Sequence, residues 1–270
     1  MIEIALSLAI IGFALVAIIG ILPTGMNVQR DNRQETIVNQ DMSVLMNGIR
    51  NGERGLDDLT NYVIAITNHS YLYRNGGITS TRLDWYTPTS SSTWPVPIFG
   101  AVNFPLTNGY YIIGLLGTPK LQNQIYNPRG QLVSFVSNHI VASFRSMSGP
   151  ASEKFPQTNT IIEELGLSYK LIPEVTGYGT NFYSPDWTNY LARGLLPVDI
   201  VNRSNYFILV KCYETNLHDV LLTFRWPILP NGKSGNGYQA YRTTVSGPLT
   251  NDPTNSPFYF FQPNTFFRGS

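Results

Sequence analysis

The sequence predicts an α+β fold: a long N-terminal α-helix, membrane-spanning in its first half and amphipathic in its second, packed on the antiparallel β-sheet of a globular head with long loops. Three observations carry this expectation. Residues 4–22 are apolar apart from Ser7, the polar stretch after Pro23 keeps a helical period, and beyond residue 70 that period gives way to strand-forming segments bounded by Gly, Pro and Asn. The division that follows is residues 1–50 as the helix, with 1–23 as its transmembrane or filament-core part, and 51–270 as a β-rich head.

The apolar run of 19 residues from Ile4 to Leu22 spans about 28 Å as a helix, close to the ~30 Å hydrocarbon core of a bilayer. It can cross a membrane once. A cleaved signal peptide is the competing reading, but it needs a basic region before the apolar core and a small-residue cleavage site after it. No Lys or Arg precedes the run, and Pro23-Thr24-Gly25-Met26-Asn27 is a poor cleavage site. Pro23 lacks a backbone N–H and clashes with the preceding turn, so a kink or local unwinding is expected between Gly12 and Pro23. Further on, Val38, Met42, Leu45 and Ile49 recur at helical spacing and define one face, whereas residues 30–35 carry charge with no apolar stripe. That charged stretch reads either as a solvated helix or as a stalk that meets neighbouring subunits. Residues 56–66, with Asp57 and Asp58 in the first turn, read as a second, shorter helix.

In the head, residues 109–116, 133–144, 167–175, 206–213, 220–226 and 238–245 read as strands, rich in Val, Ile, Tyr, Phe and Leu. The clearest hairpin joins 220–226 to 238–245 through a connection containing the turn dipeptide Asn231-Gly232. Residues 158–165 suggest a helix, and the Pro- and Ser-rich stretches 87–97 and 246–257 suggest surface loops. Phe258, Tyr259, Phe260, Phe261, Phe266 and Phe267 crowd the last thirteen positions. Six exposed rings would invite aggregation, so this tail is expected to be ordered and largely buried, in its own head or against a neighbour.

Composition narrows the function classes. Net charge is +1 with 13% charged residues, which offers no basic field for a nucleic-acid backbone. One cysteine, Cys212, cannot form an intrachain disulfide. Gly232-Lys233-Ser234 resembles the end of a phosphate-binding loop, but the first glycine of that motif would fall at Pro227 and strands flank it, so a hairpin turn is the expectation. His69, His139 and His218 are isolated in the sequence, and Cys212 with His218 gives two ligands where a structural zinc needs four. The pairs Glu163-Glu164 and Asp57-Asp58 are ordinary for helix surfaces, and the oxygen-rich stretch 251–256 holds one acid, too little charge for a strong calcium site. No enzyme activity and no cofactor are expected.

The segment Met1-Ile2-Glu3-Ile4-Ala5-Leu6-Ser7-Leu8-Ala9-Ile10-Ile11-Gly12-Phe13 resembles the start of a processed type IV pilin or pseudopilin. Those proteins combine an N-methylated first residue, a glutamate at the fifth position, and roughly twenty apolar residues containing a glycine and a proline. Glu3, Gly12 and Pro23 match by residue type. Glu3 stands two positions early, which points to two residues before Met1 or a shifted cut, and the interval from Gly12 to Pro23 is longer than in the commonest major pilins. The resemblance covers about the first fifty residues. It implies assembly roles for Met1, Glu3, Gly12 and Pro23, removal of a short basic leader by a prepilin peptidase, residence in the inner membrane before assembly, and extraction by an ATP-driven assembly machine. The product would be a homo-oligomeric helical filament on the cell surface. A minor pseudopilin of a type II secretion system is the nearest alternative, and a membrane-anchored binding or adhesin module is a second.

Overall fold

The first fifty residues hold single helix-weakening positions at Gly12, Gly20, Pro23 and Gly25, but glycines cluster only at Gly48, Gly52 and Gly55. In a computed structural model that describes residues 2–88, 106–126, 132–148, 166–178, 212–251 and 258–266, helix α1 runs from Ile2 to Asn51. It ends where Gly52 adopts φ 58°, with the Glu53 N–H donating to the Gly48 carbonyl at 2.9 Å and the Gly52 N–H to Ile49 at 3.1 Å. This is the Schellman arrangement that a left-handed C′ glycine permits. A Cβ at Gly52 would also run into the Phe261 carbonyl. No unwound stretch separates Gly12 from Pro23, because the helix continues through that interval. A proline in a helix removes one backbone hydrogen bond, and here that loss does not end the helix.

The α+β architecture expected from the sequence is present. Strands β1 (Val63–Arg74), β2 (Gly77–Tyr86), β3 (Leu121–Tyr126), β4 (Leu132–Arg145), β5 (Ser168–Gly177), β6 (Leu217–Ile228) and β7 (Ser234–Ser246) form a seven-stranded sheet in the order β2-β1-β4-β5-β6-β7. Every one of its ladders is antiparallel, and β3 shares with β5 the second edge of the long β4. Strands β8 (Leu249–Asn251) and β9 (Tyr259–Phe261) make a separate two-stranded ladder. The β6–β7 hairpin is the one read from the sequence, turning at Gly232 with φ 75°. The β1–β2 hairpin turns at Asn75-Gly76, with φ 51° and 81°. A type I′ hairpin turn needs positive φ at both central residues, and Asn-Gly supplies them at least cost.

Two expectations fail here. Residues 109–116 are not a strand but helix α2 (Gly109–Leu116). The Asn108 side chain accepts the Tyr111 N–H at 3.1 Å and Asp57 accepts the Gly109 N–H at 3.0 Å, so the first turn is capped from two directions. Residues 56–66 are not a helix either: a 3-10 turn (Asp57–Asn61) passes at once into β1. The β-branched Val63, Ile64, Ile66 and Thr67 favour the strand. The expected strand 206–213 falls mainly outside the described residues, with a helical turn at 212–216. The helix expected at 158–165, Glu163, Glu164 and most of 87–97 and 252–257 also lie outside them.

The core lies between one face of the sheet and the C-terminal part of α1 together with α2. Alternation along the strands sends Ile66, Ala142, Leu171, Leu222 and Phe224 inward, against Val38, Leu45 and Ile49 of α1 and Ile112 and Leu116 of α2. The aromatic tail closes this core. Phe258, Phe260 and Phe261 are buried, Gly114 of α2 lies against the first two, and Arg54 stacks over the Phe260 ring at 4.9 Å. Phe266 departs from the expectation of a buried tail, being 61% exposed, and Phe267 is outside the described residues. Phe260→Ala should therefore destabilise the head by about 3–5 kcal/mol, while Phe266→Ala should stay within about 0.5 kcal/mol. Chemical denaturation of both variants in parallel checks this, and equal losses would contradict the packing described.

Candidate functional site

Helix α1 lives in two environments. From Val38 onward it is part of the head, with Val38, Leu45, Met46 and Ile49 buried and Met42 packed beside them. This stripe is the one the sequence spacing indicates. Two polar side chains fix the helix within it. The Asp41 carboxylate, fully buried, accepts the Met147 N–H at 2.9 Å and the Ser148 hydroxyl at 2.6 Å. Asn39 accepts a hydrogen bond from the Tyr241 hydroxyl on β7. Burial pushes the Asp41 carboxyl above its ordinary value despite these donors, and burial beside that carboxylate holds the Tyr169 phenol well above 10. Sequence reading missed Asp41. The signal was present, since it stands three residues after Val38 and four before Leu45, inside the apolar stripe.

Before residue 34 every described side chain of the helix is exposed, and only Arg30 and Asp31 come near the head, bordering a cavity with Trp226, Pro227 and Tyr238. Ile4, Leu8, Ile11, Leu15, Ile18 and Leu22 are all exposed, and so are the residues between them. Phe13, the largest, is 79% exposed. These side chains surround the helix axis, leaving no polar flank. A surface helix of a globular protein has such a flank, and so does one lying in a membrane interface. A helix that is apolar all round requires an apolar environment on all sides, as in a bilayer or a bundle of similar helices. At ~1.5 Å per residue the free part, residues 2–33, extends about 48 Å. Its first two thirds are apolar, and the remainder, with Arg30, Asp31 and Arg33, is a polar spacer. The helix is thus long and apolar enough to serve as a membrane anchor.

The residues singled out in the sequence take these places. Glu3 occupies the first turn of α1, where the helix dipole favours a carboxylate, and Ser7 Oγ donates to its carbonyl at 2.8 Å. Gly12 stands midway along the free apolar part, and a Cβ there would meet nothing within 4 Å. No contact among the described residues calls for its small size. Pro23 lies in the helix at the end of the apolar run, and Met1 is outside the described residues. Strand register brings His69 and His139 opposite one another on β1 and β4, a juxtaposition invisible in the sequence. Among the described residues no three His, Cys, Asp or Glu side chains gather as a metal site would require.

The head carries a second feature that the sequence did not reveal. Where α2 ends, the inward face of β1, β2 and β4 changes from apolar to polar. Ile66 is followed on that face by Asn68 and Ser70, Tyr86 by Asp84 and Arg82, and Ile140 by Asn138. These side chains border a cleft of about 340 Å³. Asn138 Oδ1 accepts from Asn68 Nδ2 at 3.3 Å and Ser70 Oγ at 3.0 Å, and its Nδ2 donates to the Pro119 carbonyl at 3.1 Å. Arg82 Nε donates to Asp84 Oδ1 at 2.7 Å.

Comparison with protein-family models, curated proteins and solved structures finds no match to this chain. Its functional reading rests on its own residues.

His218 on β6 gives the fold a pH signature. It is 6% exposed, lies edge-on to the Phe261 ring, and is pushed down from 6.5 to about 4 by burial, which a Gly247 backbone hydrogen bond and Glu214 only partly oppose. The folded state therefore holds the neutral ring. Stability from this group is complete above pH 6.5 and is lost as pH falls through about 4, by about 3 kcal/mol in all. Asp41 has the opposite sign, since its contribution is complete below 3.8 and is lost as pH rises from there through its raised native value. Unfolding of His218→Gln between pH 7 and 4 should show a shallower acid loss than the parent, and an unchanged slope would contradict the assignment.

Proposed function

We propose that this chain is the structural subunit of a type IV pilus-like filament, assembled through the apolar N-terminal part of α1. The observation that carries the reading is one continuous helix, its C-terminal third built into the head core and its residues 4–22, apart from Ser7, apolar on every side and exposed. A helix anchored this way holds the apolar part at a fixed angle to the head. Twenty or so residues are enough to span a bilayer, so the same segment stores the subunit in the membrane before assembly and packs against its copies afterwards. Transfer from lipid to a helix bundle exchanges one apolar environment for another. Packing, small residues such as Gly12 and polar pairing then decide the arrangement. The resemblance of residues 1–23 to pilins and pseudopilins points the same way. It also supplies the rest of the proposal: maturation by a prepilin peptidase, an inner-membrane store and a cell-surface product.

A second reading is a membrane-anchored binding module, in which α1 is only a tether. The polar cleft of the head favours it. Filaments containing the chain in sheared surface material support the first reading, and a strictly monomeric detergent-solubilised protein supports the second.

In the filament Glu3 acts in assembly. Inside a bundle of apolar helices its carboxylate needs a cationic partner to offset desolvation, and residues 1–29 contain no Lys or Arg. An N-terminal amine, from its own chain or a neighbour, is the group at hand, and pairing between chains would set the axial register of each entering subunit. Glu3→Ala and Glu3→Gln should both leave membrane insertion and head folding intact while reducing filament yield by about tenfold or more, as expected for a partly buried ion pair. Filament mass and membrane-bound subunit, quantified side by side, give the result. Undiminished yield in both variants would overturn the role.

A further inference from the structure

The polar cleft of the head has the features of a ligand site. On β1 the inward row runs from the buried Ile66 to Asn68, Ser70 and Leu72, so the face that packs under α2 becomes hydrogen-bonding as soon as α2 ends at Leu116. Asn68 is 7% exposed, yet its Oδ1 has no hydrogen-bond partner among the described residues. Its amide is not free to turn away, because Nδ2 is held by Asn138, itself tied to Pro119 and Ser70. A buried carbonyl-type oxygen fixed in this way calls for a donor beyond those described, which a ligand hydroxyl can supply. Arg82 and Asp84 enter the same cleft as a mutually neutralised pair, joined at 2.7 Å, so the site shows no net charge. Leu72, Val136 and Tyr259 supply apolar surface beside these groups.

We infer that this cleft binds an uncharged polyhydroxylated ligand, one or two units of a neutral saccharide. Vicinal hydroxyls each donate and accept, which answers a fixed acceptor at Asn68 and a carboxylate and hydroxyls around it, while the C–H face of a sugar ring suits Leu72 and Tyr259. A volume of about 340 Å³ admits one or two rings. A phosphate or sulfate is disfavoured because Asp84 already neutralises the arginine. The inference holds whether the chain polymerises or stays a tethered monomer.

The test uses the full-length chain in a detergent without a sugar headgroup, titrated with glucose, galactose, mannose, N-acetylglucosamine, their disaccharides, and glucuronic acid as a charged control. Saturation-transfer NMR and calorimetry read the binding. Ser80 is an exposed β2 residue bordering the cleft, so Ser80→Trp should fill it without disturbing the core. At least one neutral sugar is expected to bind, with affinity lowered about tenfold or more by Ser80→Trp and by Asn68→Leu. His139→Ala, on the opposite face of β4, should bind as the parent does. If Asn68→Leu fails to fold, Ser80→Trp alone decides. Binding undiminished in Ser80→Trp, binding of the acid alone, or no binding by any sugar in the panel would overturn the inference.

Discussion

The docking of the second half of α1 onto the sheet is the interaction on which the rest of the molecule depends. Val38, Leu45, Met46 and Ile49 bury one stripe of the helix, and Asp41 ties it to the backbone that follows β4. Because α1 continues without a break beyond the docked stripe, the apolar part leaves the head as a direct extension of it. A flexible joint near residue 34 would turn the same apolar segment into a simple anchor. A rigid one makes it an element whose position the head determines, which is what a repeating helical assembly requires of every subunit.

The buried carboxylate of Asp41 is part of that rigidity and also a liability. Removing a carboxylate from water is costly, and hydrogen bonds from Met147 and Ser148 recover only part of that cost, which is why burial dominates its titration. The geometry is nonetheless specific: a backbone N–H and a hydroxyl meet the two oxygens at 2.9 and 2.6 Å. A hydrophobic side chain at this position could fill the space but could not fix the rotation of α1. On this account Asp41 serves orientation more than stability. In the proposed filament the same separation of roles would extend along the helix, with the apolar surface supplying adhesion, Asp41 fixing orientation toward the head and Glu3 setting register toward other chains.

The helix and the sheet were legible in the sequence because each is written in a local period. The stripe Val38, Met42, Leu45, Ile49 and the β6–β7 hairpin emerge as read. Residues 109–116 were misread because eight apolar residues have too short a run to display a period. The deciding signal was at their edge, in Asn108 before the segment and Asp57, fifty-two positions upstream, capping Gly109. Residues 56–66 were misread from two acids that favour a helix start, when the β-branched residues after them carried more weight. The polar cleft was illegible for a different reason. Asn68 and Arg82 meet across the β1–β2 hairpin, but Asn138 joins them only through the pairing of β1 with the distant β4, and no local pattern announces that their row continues an apolar face.

The central claim is that the apolar half of α1 packs against copies of itself. Helical reconstruction by electron cryomicroscopy of sheared cell-surface material tests it most directly. The account predicts a continuous filament with residues 2–22 of every subunit bundled along its axis, the heads outside, and Glu3 facing a neighbouring chain. Surface material without this chain, or a filament in which that segment is absent from the core, would contradict it.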